Sequence, residues 1–435
     1  MLEKFQNIFR IPELKKRVLF TLGLLVVYRL GGHIPTPGVN SEALVAAFAQ
    51  QTNSLFGLYD LFVGGSFAKA TVFALGIMPY ISVSIIFQLL GAVIPYFEKL
   101  QKEGEEGRKK ITQYTRVGTV ALAAVQSLAF AKFLESMGSA GAPVVPHPGI
   151  AFQLMTMITQ TAGTVLIMWL GEQITERGIG NGISLIIFIG IVARFPADIV
   201  NTIRAIRVGT LSPVIAALLA GMMVAVIASV VAMTQAQRKI PVQYAKRVVG
   251  RKMYGGQATH IPLRVNTAGV IPIIFAQSLI MLPSTLALYF QGSNMIQSVA
   301  RLFAHGTWVY VIVYSLTIIF FTYFYTAIVL NPTDMADNMK KYGGFVPGIR
   351  PGKKTSEYID RILSRITLPG AIFLALIAVL PDLLIRSFNV PFYFGGTSVL
   401  IVVGVALDTL QQIESHLIMR HYEGFVTHGR MRGRR

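Results

Sequence analysis

Long apolar segments recur along this chain and constrain its fold more than any other feature. A helix that crosses the hydrocarbon core of a bilayer needs about 20 predominantly apolar residues. Eight segments are clear candidates for such helices, at residues 71–94, 117–131, 151–170, 211–233, 268–290, 307–330, 368–384 and 392–405. Two shorter candidates, 18–28 and 183–193, end at Arg29 and Arg194. Their length is compatible with tilting, with shielding by neighbouring helices or with snorkelling of the arginines. The sequence therefore predicts ten spans.

The composition excludes a soluble globular protein and disfavours an enzyme. Hydrophobic residues make up 53% of the chain and charged residues 14%, which leaves too little polar surface to cover a soluble globule. The chain has no cysteine, and its seven histidines never show the spacing of a helical zinc site. Its glycine-rich stretches lack the spacing of phosphate-binding and dinucleotide-binding loops. We therefore predict an all-α membrane protein with no catalytic residues, no metal and no cofactor.

The lysines and arginines predict the orientation of the spans. Most of the 39 cationic residues fall in alternate loops, which the positive-inside rule places in the cytoplasm together with both termini. Five spans precede residue 205 and five follow it, so we predict an N-terminal half at 1–205 and a C-terminal half at 206–435. An odd number of spans inverts the second half relative to the first, and inverted halves place a functional site at their interface.

One apolar stretch is too short to span a bilayer. The stretch lies at 55–66, reads LFGLYDLFVGGS and ends near Gly64 and Gly65. Apolar backbone that does not span can lie at membrane depth only where it is buried in protein or lines a cavity. The pattern is compatible with a re-entrant half-helix that hinges at the two glycines, and also with an external surface loop.

Two predicted spans combine backbone-breaking residues with polar side chains. The span at 71–94 carries a glycine, a proline, isoleucines at intervals of four and two polar residues, namely Gly76, Pro79, Ile77, Ile81, Ile85, Ser84 and Gln88. The segment 267–283 repeats the design with Gly269, Pro272, Gln277, Ser278 and Pro283. For one helix in isolation, lipid-facing isoleucines and the frequency of glycine and proline in membrane helices are the better explanation of such a pattern. Two such helices together indicate a seam that can separate.

Charged residues are scarce inside the spans. Ion-coupled transporters normally carry acidic or basic side chains near the middle of the membrane. Here Asp382, Asp408 and Glu414 lie near the ends of their spans. This scarcity argues against the main alternative, a secondary transporter of a small solute, which inverted halves with broken helices would otherwise fit.

Two long cytoplasmic loops, at 234–266 and 331–367, are too organised for simple connectors. The stretch 237–266 has seven cations and no acids, and valine-rich segments on either side of Gly250 predict a hairpin. In the second loop, glycines and prolines between 343 and 352 predict a turn-rich region around Arg350. Basic projections bind RNA phosphates, anionic lipid headgroups or acidic protein surfaces. An ordinary positive-inside loop has the same charge.

Five motifs resemble one known family and occur in its order. They are FALGIMPYIS at 73–82, MWLGEQITERGIGNGIS at 168–184, AGVIP at 268–272, GGFVPGIRPG at 343–352 and VPFYFGGTS at 390–398. The chain closely resembles, from end to end, the bacterial SecY and Sec61-alpha family, the large subunits of the Sec protein translocon. The resemblance implies ten transmembrane helices in two inverted five-helix halves, which form a clamshell with a central hourglass pore. It implies a passive channel that translocates unfolded secretory proteins and releases transmembrane segments laterally into lipid.

The resemblance also implies roles for individual residues. The pore ring, an apolar constriction that blocks ions by dewetting, corresponds to Ile77, Ile81, Ile183, Ile187, Ile274 and Ile401. The plug of the outer funnel and its hinge correspond to Leu55, Phe56, Leu58, Tyr59, Phe62, Gly64 and Gly65. The lateral gate, whose glycines and prolines would let its two helices bend apart, corresponds to Gly76, Pro79, Ser84, Gln88, Pro272 and Gln277. The surface that docks a motor or a ribosome corresponds to Lys246, Arg247, Arg251, Lys252, Arg350, Lys353 and Lys354.

The same resemblance implies partners and a location. The implied partners are the small membrane subunits SecE and SecG, the motor ATPase SecA, the ribosome, signal peptides with nascent chains, and membrane lipids. The implied location is the bacterial plasma (inner) membrane, which the chain crosses several times with both termini in the cytoplasm.

Overall fold

Helices dominate the structure, and each predicted span overlaps one of them. The computed structural model describes residues 11–49, 60, 63–139, 142–244, 247–249, 252–254, 258–289, 307–388 and 396–428, together with Met295, Ser298, Val299, Leu302 and Phe303. The chain divides into two compact units, one of residues 1–201, 281–305 and 405–435 and the other of residues 202–280 and 306–404.

The first unit contains most of the N-terminal helices. They are α1 (Pro12–Gly31), α2 (Ser41–Ala49), α3 (Met78–Val93), α4 (Pro95–Lys102), α5 (Glu105–Ser136), α6 (Ile150–Arg177), α7 (Gly182–Val192) and the start of α8 (Phe195–Val208). A short hairpin, β1 (Gly138–Ser139) and β2 (Ala142–Pro143), lies between α5 and α6. Helix α5 packs along α6 and against α3, and α1 contacts α6 and α7.

The chain bends by 100° between α3 and α4. The bend falls at Ile94, whose ψ of 119° is extended. Proline disfavours helical backbone in the residue before it, and Pro95 follows directly. Pro95 then takes the first helical position of α4, where its missing N–H costs no hydrogen bond.

The core of the first unit includes a segment that is neither helix nor strand. Residues 63–77 form a series of turns, and most of their side chains are buried. The ring of Phe67 packs 4.7 Å from that of Phe130 on α5, and the ring of Phe73 stacks 5.8 Å from that of Tyr28 on α1. Hydrogen bonds from Thr36 N to Ala70 O and from Val72 N to Ile34 O join the segment to the chain that follows α1. Side-chain packing therefore holds this segment in place without regular secondary structure.

The second unit combines long helices with a small sheet. Its elements in chain order are α9 (Pro213–Gln235), β3 (Gln237–Tyr244), β4 (Arg247–Val249), β5 (Lys252–Tyr254), β6 (Ala258–Arg264), α10 (Ile271–Tyr289), α11 (Trp308–Val329), α12 (Pro332–Lys341), β7 (Gly344–Phe345), α13 (Lys353–Phe388) and α14 (Gly396–His428). Helix α11 packs along α13, and the ring of Phe275 on α10 meets that of Phe321 on α11 edge to face at 5.7 Å.

Several helices are suited to a bilayer. Among the described residues, seven are long and apolar enough to cross a membrane alone, and the bent pair α3–α4 adds an eighth. Helix α9 exposes large apolar side chains such as Val214, Leu218 and Val224, and Val230 is its one buried residue within the described chain. Such an apolar surface is stable when acyl chains or another apolar helix cover it, because neither contact leaves a polar group without a hydrogen bond.

Candidate functional site

The two predicted gate helices begin with the same backbone arrangement. Gly76 has φ +57° and Gly269 has φ +62°, a left-handed conformation that glycine adopts without steric cost. In each case a proline follows three positions later, Pro79 in the first turn of α3 and Pro272 in the first turn of α10. Proline fits there because the first N–H groups of a helix have no helical partner.

This arrangement corrects the bounds of one predicted span. The helix does not run through 71–94, because residues 71–77 form turns and α3 begins at Met78. Gly76 and Pro79 therefore fix the start of α3. The sequence had suggested that they weaken the middle of the helix, and that prediction was wrong. A Cβ at Gly76 would lie 3.0 Å from Val63, so the turn is also closely packed. The lateral gate itself stays a prediction.

The isoleucines of the predicted ring are mostly buried. Ile77, Ile81, Ile187, Ile274 and Ile401 are buried, and Ile183 is half-buried against α6 near Gly171. Ile77 is the N-cap of α3, and Ile81 follows one turn later. Four of the six belong to the first unit, and Ile274 and Ile401 belong to the second. The ring that would join them stays a prediction.

The polar residues of the predicted gate differ in their bonding. On α3, Gln88 Nε2 donates to Ser84 Oγ at 3.4 Å, one helical turn away. On α10, Gln277 is 2% exposed and its Nε2 has no hydrogen-bond partner among the described residues. A buried amide N–H without a hydrogen-bond partner lowers the stability of the fold. Such a cost has an explanation where the group forms a hydrogen bond in another conformation of the protein.

The predicted hinge glycines form a tight turn near the start of the segment 63–77. Gly64 has φ +70° and Gly65 has φ +89°. A Cβ at Gly64 would lie 2.9 Å from Gly190 Cα on α7, whereas a Cβ at Gly65 would meet nothing within 4 Å. Gly64 thus allows the turn to sit directly on the backbone of α7. The predicted plug residues Leu55, Phe56, Leu58, Tyr59 and Phe62 lie outside the described residues.

The structure shows how two charged residues that shorten spans are accommodated. Arg29, in the last turn of α1, donates from Nη1 to the carbonyl oxygen of Gly64 at 3.0 Å. Arg194, just after α7, donates from Nη1 to Asp60 Oδ2 at 2.9 Å. Neighbouring groups therefore bind these cations. Sequence reasoning missed Asp60, because its partner lies 134 positions away and nothing in the local pattern marks the pair.

The motif GIGNG at 178–182 is a structural junction of the first unit. The side chain of Thr21 on α1 accepts a hydrogen bond from Ile179 N, and that of Gln412 on α14 accepts one from Gly180 N. Asn181 caps α7 by accepting from Ile183 N and Ser184 N. The motif thus connects α1, α6, α7 and α14 through backbone N–H groups that the helix ends leave free.

A second ion pair of the first unit also escaped sequence reasoning. Arg116 on α5 donates from Nε and Nη2 to both carboxylate oxygens of Glu172 on α6, at 2.9 and 2.7 Å. Bidentate pairs of this geometry are the strongest type of ion pair. Glu172 lies within the motif MWLGEQITERGIGNGIS, so the pair fixes α5 against the helix that leads to the GIGNG junction.

The two loops that the sequence predicts to be cytoplasmic form one folded module in the second unit. We name it, after that prediction, the cytoplasmic module, and it comprises residues 237–264 and 331–366. Strand β3 pairs with β6 along its length and with β7 of the other loop, where Gln243 faces Phe345. Strands β4 and β5 form the hairpin predicted around Gly250, with Val248 opposite Met253. The prediction of a hairpin is confirmed, and the structure adds that a strand from the second loop extends the sheet.

The cytoplasmic module has its own hydrophobic core. The core consists of Ile240, Val242, Leu263, Met339, Val346, Ile359 and Leu363, all buried. Both loops contribute to it, and partly buried side chains such as Ile261 and Ile349 cover it. A core of this kind makes the module a rigid platform and not a pair of flexible connectors.

One exposed feature of the cytoplasmic module is the turn around Arg350. Gly343, Gly348 and Gly352 have φ of +71°, +81° and +97°, so the turn depends on their freedom to adopt left-handed backbone. The hydroxyl of the buried Thr355 donates to the carbonyl oxygen of Arg350 at 2.9 Å, which fixes the backbone while the guanidinium stays exposed.

The structure describes the other predicted docking residues to different extents. Lys353 and Lys354 are exposed in the first turn of α13, and Lys354 pairs with Glu357 at 3.2 Å. Arg247 and Lys252 lie on β4 and β5, of which the backbone alone is described. Lys246 and Arg251 lie outside the described residues. Within the described part of the chain, no three histidine or acidic side chains are placed to hold a metal ion.

Comparison with known proteins identifies relatives of the whole chain. The family model SecY matches residues 71–410. A curated relative, the protein translocase subunit SecY of Aquifex aeolicus, is 48% identical over 98% of this chain and all of its own length. A solved structure of a protein conducting channel matches 93% of each chain with a TM-score of 0.66 at 18% identity. Sec61 in the canine ribosome-channel complex matches 93% of each chain with a TM-score of 0.62 at 17% identity.

Proposed function

This chain belongs to the SecY family, and from that premise we propose how its residues carry out protein translocation. The chain is a protein translocase subunit with the fold of a protein-conducting channel, and it conducts unfolded proteins across a membrane and releases transmembrane segments into lipid. The ten spans fall in two halves, residues 1–205 and 206–435, which we infer to be inverted repeats around the pore. In support, α1, α3, α5, α6 and α7 precede residue 205, and α9, α10, α11, α13 and α14 follow it.

The observation that carries the mechanism is the matched start of α3 and α10. Each helix begins after a left-handed glycine, has proline in its first turn and carries buried isoleucine close by. Ile77, Ile81, Ile183, Ile187, Ile274 and Ile401 would form the ring that blocks ions at rest. Branched aliphatic side chains exclude water and still yield to a passing chain without binding a particular sequence.

We infer that α3 and α10 are the two helices of the lateral gate. We infer that the left-handed turns at Gly76 and Gly269 would allow α3 and α10 to move as whole helices, each about its own N-terminal end. Gln277 Nε2, which has no hydrogen-bond partner among the described residues, and the weak pair of Ser84 with Gln88 supply polar groups that a hydrophobic seal does not need. They would bind polar backbone of a signal sequence as it passes towards lipid.

The cytoplasmic module is the proposed docking platform. Its exposed cations include Arg350, Lys353 and Lys354, presented on a rigid core. A cationic surface of this kind would suit an acidic surface on a protein partner, for which we propose the motor SecA, and also the RNA of a ribosome. The canine relative was solved in a ribosome-channel complex, which supports the second partner. Small subunits of the SecE and SecG type would cover part of the exposed apolar surface of helices such as α9.

The proposed location is the bacterial inner membrane, with both termini and the cytoplasmic module in the cytoplasm. The basic loops that form the module supply much of the charge asymmetry on which the orientation rests. A secondary transporter of a small solute, the alternative that the spans alone allow, receives no support from the relatives, which are protein translocase subunits and protein-conducting channels.

The test is protection of a preprotein from external protease. Lipid vesicles containing this chain, SecE and purified SecA are supplied with ATP and a preprotein that carries a signal sequence. We expect a protease-protected fraction that requires both ATP and this chain. Vesicles without the chain are the control, and absence of protection with a motor that is active on another channel would refute the proposal.

A further inference from the structure

The C-terminal part of α8 carries two arginines that the proposed function does not use. Arg204 and Arg207 are three positions apart, so they are neighbours on the helix surface, and both are exposed. They follow the predicted span 183–193, on the side of the membrane where the positive-inside rule makes cations scarce. A cationic pair in this position raises the question of which anion compensates it.

The chain itself offers almost no anion nearby. Between Asp198 and Asp334 it contains no acidic residue. Asp198 is half-buried on a different face of α8 and interacts electrostatically with Arg194. Neither Arg204 nor Arg207 forms an ion pair or a hydrogen bond within the described part of the chain. Both guanidinium groups are therefore free to bind an anion from outside the chain.

Stabilisation of the helix end does not explain the arginines. Cations in the last turn of a helix interact favourably with its dipole. Here a turn already satisfies the end of α8, because Ala205 O accepts hydrogen bonds from Thr210 N at 3.0 Å, Leu211 N at 3.2 Å and Thr210 Oγ1 at 3.0 Å. Gly209, with φ +80°, gives this turn its left-handed backbone. The arginines are not among these donors, so the helix ends without them.

The surface around the arginines is apolar. Val208 and Val214, on either side of the turn, are 76% and 75% exposed, and Ile199, Val200 and Ile203 of α8 are exposed as well. Large apolar patches are uncommon on surfaces that face water. The boundary between acyl chains and headgroups, in contrast, accommodates apolar side chains next to cations. This surface therefore fits a lipid better than it fits water.

The length of the helix places the arginines at headgroup depth. Helices α7 and α8 form an apolar helical stretch of 27 residues, from Gly182 to Val208. At 1.5 Å per residue, Arg204 and Arg207 lie about 33 and about 38 Å along it from Gly182. The hydrocarbon core is about 30 Å thick, so both arginines lie just beyond it. In the proposed orientation, that position is the phosphate region of the outer leaflet.

We propose that Arg204 and Arg207 form a binding site for the phosphate of an anionic phospholipid in the outer leaflet. Guanidinium groups bind phosphate oxygens through paired hydrogen bonds, and two cations three positions apart repel each other unless an anion compensates them. The acyl chains of the lipid would cover Ile203 and Val208. The inference goes beyond the proposed function and takes from it only the orientation, which decides the leaflet.

The test measures lipid preference beside the arginines. The chain has no cysteine, so Val208→Cys gives a single site for a fluorescent label in the full chain, reconstituted with its small subunits. Brominated phosphatidylglycerol and brominated phosphatidylethanolamine quench the label according to their occupancy of that site. We expect a preference for phosphatidylglycerol of about fivefold for each arginine. A label at Ile158→Cys, exposed in the middle of α6, should show no preference.

Single substitutions assign the preference to the arginines. Arg204→Gln and Arg207→Gln should each lower it about fivefold. Arg204→Lys should retain part of it, because an ammonium group keeps the charge and loses the bidentate geometry. Lys132→Gln is the matched control, since Lys132 is an exposed cation near the end of α5, which the positive-inside rule also places on the outer side.

The outcomes separate this inference from the proposed function. Equal quenching by the two lipids at Val208→Cys, or a preference that survives both glutamine substitutions, would overturn the inference. Loss of a small subunit from the glutamine variants, without a lipid preference in the wild type, would assign the arginines to a protein partner and overturn it as well.

Two further results bear on the proposed function. A membrane-impermeant thiol reagent should reach Val208→Cys from the outside of intact vesicles, and reaction from the cytoplasmic side alone would refute both the proposed orientation and the outer-leaflet site. The lipid measurement requires no translocation. A wild-type chain that shows the preference but fails to protect a preprotein would therefore refute the proposed function and support the lipid site.

Discussion

Replacement of Gly182 with alanine tests the packing of the GIGNG junction. A Cβ at this position would overlap the carbonyl oxygen of Gly171 on α6 and would lie 2.9 Å from the Cβ of Ile174. Because non-bonded heavy atoms pack at about 3.5–4.0 Å, relief of the overlap with the carbonyl oxygen would require α6 and α7 to separate by roughly 1.5–2 Å. Backbone atoms form the obstacle, so no side-chain rotation can relieve it.

The expected cost follows from that overlap. Overpacking of a well-packed contact destabilises by about 1–3 kcal/mol, and the gain in helix propensity from glycine to alanine offsets at most about 1 kcal/mol. The matched control is Gly23→Ala on α1, where a Cβ would meet nothing within 4 Å. The control carries the propensity gain without the overlap, so it should be neutral or stabilising.

Thermal unfolding of the detergent-purified chain measures the difference. The fraction that remains monodisperse after heating is compared for the wild type and the two variants. We expect the melting temperatures to shift in opposite directions, down for Gly182→Ala and unchanged or up for Gly23→Ala. A Gly182→Ala protein that melts as high as Gly23→Ala would show that α6 and α7 do not approach as closely as described.

Three further predictions concern the ring, the docking platform and its core. Serine in place of both Ile81 and Ile274 should make the resting channel conduct ions in planar bilayers, because water wets a polar constriction. Arg350→Glu should abolish ATP-driven protection of a preprotein and leave the melting temperature unchanged, because the exposed guanidinium contributes to docking and not to packing. Leu263→Ala should destabilise the cytoplasmic module by about 2–5 kcal/mol and make it sensitive to protease, because the side chain is 2% exposed in its core.

Each of these predictions has a control and a contradicting result. Ile86→Ser changes an exposed isoleucine of α3 and should not leak, so equal conductance in the two cases would argue against the ring. Lys132→Glu reverses the charge of an exposed cation outside the module and is the control for Arg350→Glu. Secretion that is as efficient with Arg350→Glu as with Lys132→Glu would argue against the docking role. Thr259→Ala changes an exposed residue of β6 and is the control for Leu263→Ala. Equal resistance of the two variants to protease would contradict the described core.

Features that depend on local pattern could be predicted from the sequence. The spans follow from apolar segments of sufficient length, and the hairpin at Gly250 follows from two apolar stretches on either side of a glycine. The bounds at 71–94 were wrong because residues 71–77 are as apolar as a helix yet fold as buried turns. Hydropathy reports burial, and it does not distinguish a buried turn from a helix.

Features that depend on distant residues could not be predicted. Asp60 meets Arg194 across 134 positions, and Gln243 pairs with Phe345 from another loop. No periodicity links such residues, because their proximity arises from the packing of several helices. The ring and the gate were proposed from family resemblance, and their residues are distributed between two units, so their assembly remains a prediction.

The shared core of the cytoplasmic module has a consequence for biosynthesis. Ile240, Val242 and Leu263 are made well before the residues that cover them, which end at Ile366 and follow another span, α11. While the chain is still growing, the first loop is therefore a bare, cationic and apolar hairpin beside the membrane. Under the proposed docking role, a growing chain therefore lacks a complete docking platform until the residues up to Ile366, which follow α11, have been synthesised.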